Sequence, residues 1–214
     1  MLQRHAERID VGLHLCLTED VGQHEGRPTL AKGLRELWAG LAFGRVTRSA
    51  VQEVIAAQFQ LFTEKFGRSP DFLDGHLHVH QLPVVRPAVI QFLASLPSTG
   101  RPYVRNTAAN TRSLIAAHLP WLKARLIGRF GAAMQRAALN AQIPTNTGFV
   151  GIYDLSKWQE FPRYLPRFAA RAEKTNSIFV VHPGHSSGWR QTEYDALRAF
   201  TPAPGQINRF QRSP

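Results

Sequence analysis

Asp71-Phe72-Leu73-Asp74-Gly75-His76-Leu77-His78-Val79-His80 is the stretch from which the fold is read. Entered through Ser69-Pro70, it reads as a β-strand over 71–79. Helical patterns flank it on both sides. From Thr47 to Phe66, the residues Val51, Val54, Ile55, Gln58, Phe59, Phe62 and Phe66 recur at three- and four-residue steps, and Gly67 stops the run. A second helix is read over Pro83–Leu96. Strand patterns recur at Ile9–Thr18, Tyr103–Asn106, Gly148–Ile152 and Ser177–His182, the last read as buried. Further helices are expected over Leu30–Leu41 (or an ordered loop there), Trp121–Leu139, Lys157–Lys174 with interruptions near Pro162 and Pro166, and Thr192–Phe200. Strands that alternate with helices predict a parallel α/β architecture.

The 214 residues suit a single domain, and 43% hydrophobic residues can fill a sizeable core. No apolar run of about 18 residues occurs, so a membrane span is not expected. Met1 to Arg8 is charged and is not followed by an apolar signal core, which points to the cytoplasm. Cys16 is the single cysteine, which excludes an intramolecular disulfide and any multi-cysteine metal site. The net charge of +11 is spread along the chain, with no run of five basic residues. A nucleic-acid partner is therefore not expected.

The nine histidines carry the chemistry, and six fall in three short motifs. Strand alternation would put His76, His78 and His80 on one face. Three imidazoles on a face are poor core material, because each needs a partner if buried. A metal ion or a catalytic role satisfies them directly; the competing reading is a surface-exposed polar strand edge with Leu77 and Val79 as the buried face. Asp74 shares that spacing and could orient a histidine as the carboxylate behind a metal ligand. His14, in Gly12-Leu13-His14-Leu15, is by itself more often a hydrogen-bonded core residue than a ligand. In Val180-Val181-His182-Pro183-Gly184-His185, a β run delivers His182 to a sharp turn, a position suited to a general acid or base or to a plain exposed turn. Arg105-Asn106, after a short strand, could bind substrate or an oxyanion, or could cap the next element. Glu19 could be a surface carboxylate. No P-loop, Rossmann glycine pattern, HExxH or GxSxG motif is present.

Taken together, these motifs resemble the YdjC-like family of carbohydrate deacetylases, which includes chitooligosaccharide deacetylase and the hopanoid-associated deacetylase. The pieces are Asp10-Val11-Gly12-Leu13-His14-Leu15-Cys16-Leu17-Thr18-Glu19, Phe66-Gly67-Arg68-Ser69-Pro70 leading into Leu73-Asp74-Gly75-His76-Leu77-His78-Val79-His80-Gln81-Leu82-Pro83, Val104-Arg105-Asn106 and Val181-His182-Pro183-Gly184. The resemblance implies a (β/α) barrel-like fold related to polysaccharide deacetylases, over a single domain of residues 1–200. It implies a divalent cation, commonly magnesium with zinc as the other choice, held by one Asp and two His. His14 and His76 fall on the two ligand histidines. The family's aspartate lies in an Ala-Asp-Asp-Phe-Gly motif that this sequence lacks. The domain is therefore expected to be incomplete at its N-terminus by about two β-α units, with 201–214 a poorly ordered tail. Weak or no activity is expected of a chain that truly starts at Met1.

The implied reaction is removal of an N-acetyl group from an amino sugar, oligosaccharide or glycolipid. His182 would protonate the leaving amine, and Asp74 would stand in for the missing carboxylate. Arg105, Asn106, His78 and His80 would face substrate. A homodimer is plausible for the family. The alternative is an inactive remnant that binds metal or carbohydrate.

Overall fold

A computed structural model describes residues 9–18, 28–108, 121–175, 177–185 and 188–202. Glu19 and most of the tail read at 201–214 lie outside the described residues. The chain forms two compact units, which among the described residues comprise 9–105 with 136–145, and 106–135 with 146–202.

The first unit is built on three parallel strands in the order β1 (Leu13–Leu15), β2 (Phe72–Gly75) and β3 (Tyr103–Val104). Parallel neighbours need long crossovers. Helices α1 (Leu34–Ala42) and α2 (Arg48–Phe66) lie between β1 and β2, and α3 (Val85–Ser95) between β2 and β3. β1 buries Leu13 and Leu15 and leaves His14 exposed between them, as strand alternation requires.

α2 has the ends its sequence announces. The Thr47 side chain accepts the N–H of Ala50, and Gly67 closes the helix in the left-handed conformation at φ 70°. Its buried face is Val51, Val54, Ile55, Gln58 and Phe62. Gln58 belongs there because its buried amide is satisfied by main-chain groups. Its Oε1 accepts from the Cys16 N–H at 3.1 Å, and its Nε2 donates to the carbonyls of Cys16 at 2.6 Å and Pro28 at 2.9 Å. α3 packs on α2, with the Phe59 and Phe92 rings edge to face at 5.2 Å.

The strand read over 71–79 ends at Gly75, and His76–Gln81 forms 3-10 turns instead. Leu77 (φ 50°, ψ 25°) and His78 (φ 59°, ψ 23°) sit in the left-handed region, which reverses the chain direction. His76, His78 and His80 therefore do not alternate onto one strand face.

The second unit carries two parallel strands, β4 (Gly148–Val150) and β5 (Ser177–Phe179), in register from Gly148↔Ser177 to Val150↔Phe179. Helix α4 (Trp121–Asn140) precedes them in sequence. Their crossover is a 3-10 segment (Leu155–Glu160) and helix α5 (Phe161–Thr175). Pro162 lies in the first turn, where no N–H is needed, and Pro166 lies inside the helix without ending it. Helix α6 (Gly188–Ala199) begins four residues before the expected Thr192. Ala124, Tyr153, Phe161, Tyr164 and Leu165 form the buried core. β5 is shorter than the run read over Ser177–His182 and is half-buried rather than buried. No helix among the described residues is long and apolar enough to cross a membrane.

Candidate active site

The register of the first sheet creates the site. Pairing Leu13 with Leu73 sets His14 beside Asp74. His14 Nδ1 lies 2.6 Å from Asp74 Oδ1, and Arg105 Nη2, just past β3, donates to Asp74 Oδ2 at 2.8 Å. Both carboxylate oxygens are thus engaged. Burial opposes ionisation of Asp74. The hydrogen bond from His14 and the charge of Arg105 outweigh that burial and hold the carboxyl well below the usual carboxylate range. An ionised Asp74 can only accept, so the Nδ1 N–H of His14 donates to it and Nε2 is the ring nitrogen turned away from the carboxylate. The ring keeps 48% of its side-chain surface exposed. This is how a carboxylate fixes the tautomer of a metal-binding imidazole.

His76, the first residue beyond β2, sets its ring 5.8 Å from that of His14, at an interplanar angle of 75°. The left-handed pair Leu77-His78 turns the chain directly after it. For non-glycine residues this conformation costs on the order of 1–2 kcal/mol each. Leu77 is 49% exposed, so little packing offsets the cost. Leu77→Gly is therefore expected to raise stability by about 0.5–1 kcal/mol, against the usual penalty for a new glycine. Urea midpoints check this, and a destabilised variant would contradict the strain.

His80 lies elsewhere than expected. It is fully buried, and its Nε2 meets the Arg105 carbonyl oxygen at 2.8 Å. Burial, reinforced by the Arg105 charge, pushes its imidazole down to about 3, so the ring is neutral and Nε2 carries the proton to the carbonyl. Gly75 makes room for it. A Cβ on Gly75 would stand 2.8 Å from His80 Nδ1 and 3.1 Å from its Cβ. His80 therefore braces the end of β3 behind the site. His78 is half-buried in the left-handed turn.

Asn106 belongs to the second unit and is also a framework residue. Its Nδ2 donates to the Asn146 carbonyl at 2.6 Å, its N–H donates to Asn146 Oδ1 at 2.8 Å, and Asn146 Nδ2 returns a bond to the Asn106 carbonyl at 2.9 Å. Asn106 Oδ1 accepts from Ala108 N–H at 2.8 Å. With the side chain fully buried, the amide is spent on the main chain rather than on a substrate.

His182 is exposed, three residues past β5. Its main-chain N–H donates to Glu193 of α6, and Glu193 also accepts from Tyr153 Oη at 2.7 Å. Sequence reasoning missed Glu193 and Tyr153. The available signal was helical spacing, since Glu193 stands on the same stripe of α6 as Trp189, Ala196 and Leu197.

The residues present fit part of a metal site. His14 and His76 can offer imidazole nitrogens, and His14 has the supporting carboxylate that such ligands require. Among the described residues, no three His, Cys, Asp or Glu side chains converge into a complete set.

Comparison with known proteins bears on the family and the fold. A chitooligosaccharide deacetylase of Escherichia fergusonii is 33% identical over 95 residues, which is 44% of this chain and 38% of that protein. One from Yersinia enterocolitica is 33% identical over 100 residues, covering 42% of this chain and 37% of that protein. The matched stretch thus spans less than two-fifths of these curated relatives. A crystal structure from Enterococcus faecalis V583, provisionally described as a cellobiose-phosphate cleavage protein, aligns over 91% of this chain and 73% of that one, with a TM-score of 0.52. At 15% identity that likeness is one of fold, and it accords with the parallel α/β architecture. Residues 1–201 match the sequence profile of the family described as YdjC-like protein. With nearly its whole length on that profile, the chain belongs to the YdjC-like family.

Proposed function

We propose that the chain acts as a metal-dependent hydrolase that removes an N-acetyl group from an amino sugar, free, in an oligosaccharide or on a glycolipid. The observation that carries this is the His14–Asp74–Arg105 chain of contacts with the His76 ring against His14. The names of the curated relatives supply the substrate class. His14 and His76 would hold the cation, magnesium or zinc, both of which a mixed nitrogen and oxygen site accepts. When bound, such an ion polarises the amide carbonyl and acidifies a water molecule.

Asp74 holds the His14 ring at Nδ1 and keeps its tautomer. With both oxygens engaged and its affinity for protons depressed, it is a poor acceptor for a water proton, so its assigned work is orientation rather than general-base catalysis. Arg105 keeps Asp74 ionised. His182, in the second unit, is assigned proton donation to the leaving amine, on the strength of the family's His-Pro motif.

The test is acetate release from N-acetylglucosamine oligomers with magnesium or zinc, and again with chelator. His76→Ala is expected to cut metal-dependent release by more than about 100-fold, the upper range for residues that merely support a ligand. Calorimetry should show weaker cation binding in the same variant. Acetate release at the parental rate by His76→Ala would remove the site assignment. Cation binding by the parent with no release at all would leave a binding protein and sink the hydrolase reading.

A further inference from the structure

The turn that carries His182 is strapped to the N-terminal part of α6 at His182, Gly184 and His185. The His182 N–H donates to a Glu193 oxygen. The Gly184 N–H donates to the Arg190 carbonyl at 3.2 Å. His185 Nδ1 lies 2.8 Å from Gln191 Oε1. The Trp189 ring meets the His182 ring edge to face, 5.8 Å away at 67°. Trp189 and Glu193 are four residues apart, so one helix face addresses both the ring and the main chain of His182.

Glu193 is the unusual member. It is 1% exposed, and a buried carboxylate is costly unless its oxygens are satisfied. Both are satisfied by donors from strand ends, Oε1 by the Tyr153 hydroxyl, three residues past β4, and Oε2 by His182 N–H, three residues past β5. Nothing in the hydrophobic core of this unit needs an acid there. A leucine would fill the same stripe without the desolvation cost.

We propose that Glu193 is the positioning residue for His182. Its carboxylate, anchored by Tyr153, fixes the His182 backbone and hence the direction of its Cα–Cβ bond. Trp189 limits rotation of the ring, and the imidazole stays exposed to work. The inference rests on the reading of His182 as proton donor. A small misplacement of a catalytic group costs up to about 100-fold in rate.

Two variants of the full chain test it. Glu193→Met removes both acceptors at similar volume, while the Gly184, His185 and Trp189 contacts remain to hold the turn. It should lower kcat for acetate release about 10- to 100-fold with KM nearly unchanged. Glu193→Gln keeps one acceptor and should restore most of that loss. In Glu193→Gln the His182 amide proton should also move upfield, because a charged acceptor becomes neutral. A parental kcat in Glu193→Met, or an unmoved His182 amide in Glu193→Gln, would overturn the proposal. If the parental chain releases no acetate, the deacetylase reading fails, and the amide resonance alone then decides whether Glu193 holds His182.

Discussion

Replacing Arg105 by methionine is expected to lower stability by about 3–5 kcal/mol at neutral pH, the usual cost of breaking one side of a buried ion pair. The side chains of Arg105 and Asp74 are 6% and 13% exposed, so solvent screening discounts little. The pH dependence follows from the sign of the shift. The folded-state affinity of Asp74 for protons is depressed from its ordinary 3.8. Its contribution is therefore fully present above that value and is lost as pH falls through the lower folded value. In the methionine variant, one of the two groups that outweigh burial is gone. The acid-side loss of stability should shrink along with the stability itself. Urea denaturation across the acid range reads both effects. A variant within about 0.5 kcal/mol of the parent, with the same acid slope, would show that Arg105 does not support Asp74.

The other large effect belongs to the second unit. Gly151 has φ +103°, and a Cβ there would stand 2.2 Å from the Val180 carbonyl oxygen and 2.9 Å from Phe179 Cδ2. The obstacle is a strand backbone already tied by the Val180 N–H to the Val150 carbonyl at 3.0 Å. Gly151→Ala combines a forbidden conformation with a backbone clash and should cost roughly 2–4 kcal/mol. Gly188→Ala is the control, since its new Cβ would meet only the Trp158 ring at 3.5 Å. Thermal unfolding should separate the two clearly. Equal, small shifts would mean that the β4–β5 junction yields easily.

What could be read from the sequence was what local rules govern. Thr47 and Gly67 mark the ends of α2, and its three- and four-residue spacing picked out Gln58 as an inward residue. The pairing of His14 with Asp74 was not legible, because a register between strands 60 residues apart leaves no local trace; the family resemblance joined only His14 with His76. The histidine run misled for a physical reason. Leu77 and His78 adopt a conformation normally signalled by glycine or asparagine, and neither is present at those positions. Alternation then mimicked a strand where the chain turns. The burial of His80 and Asn106 was hidden for the opposite reason. Their partners are main-chain carbonyls and amides, which every sequence has.

The His14–Asp74–Arg105 chain also has a temporal side. His14 precedes its partner Asp74 by 60 residues, and Arg105 arrives only after β3. During synthesis His14 must wait, unpaired, until the ribosome has released most of the first unit. Such distant closures are slow and come late in folding. The chain should therefore acquire helical structure in α2 and α3 well before His14, Asp74 and Arg105 come together. Arg105→Met should therefore slow the last refolding phase and leave the earliest one unchanged.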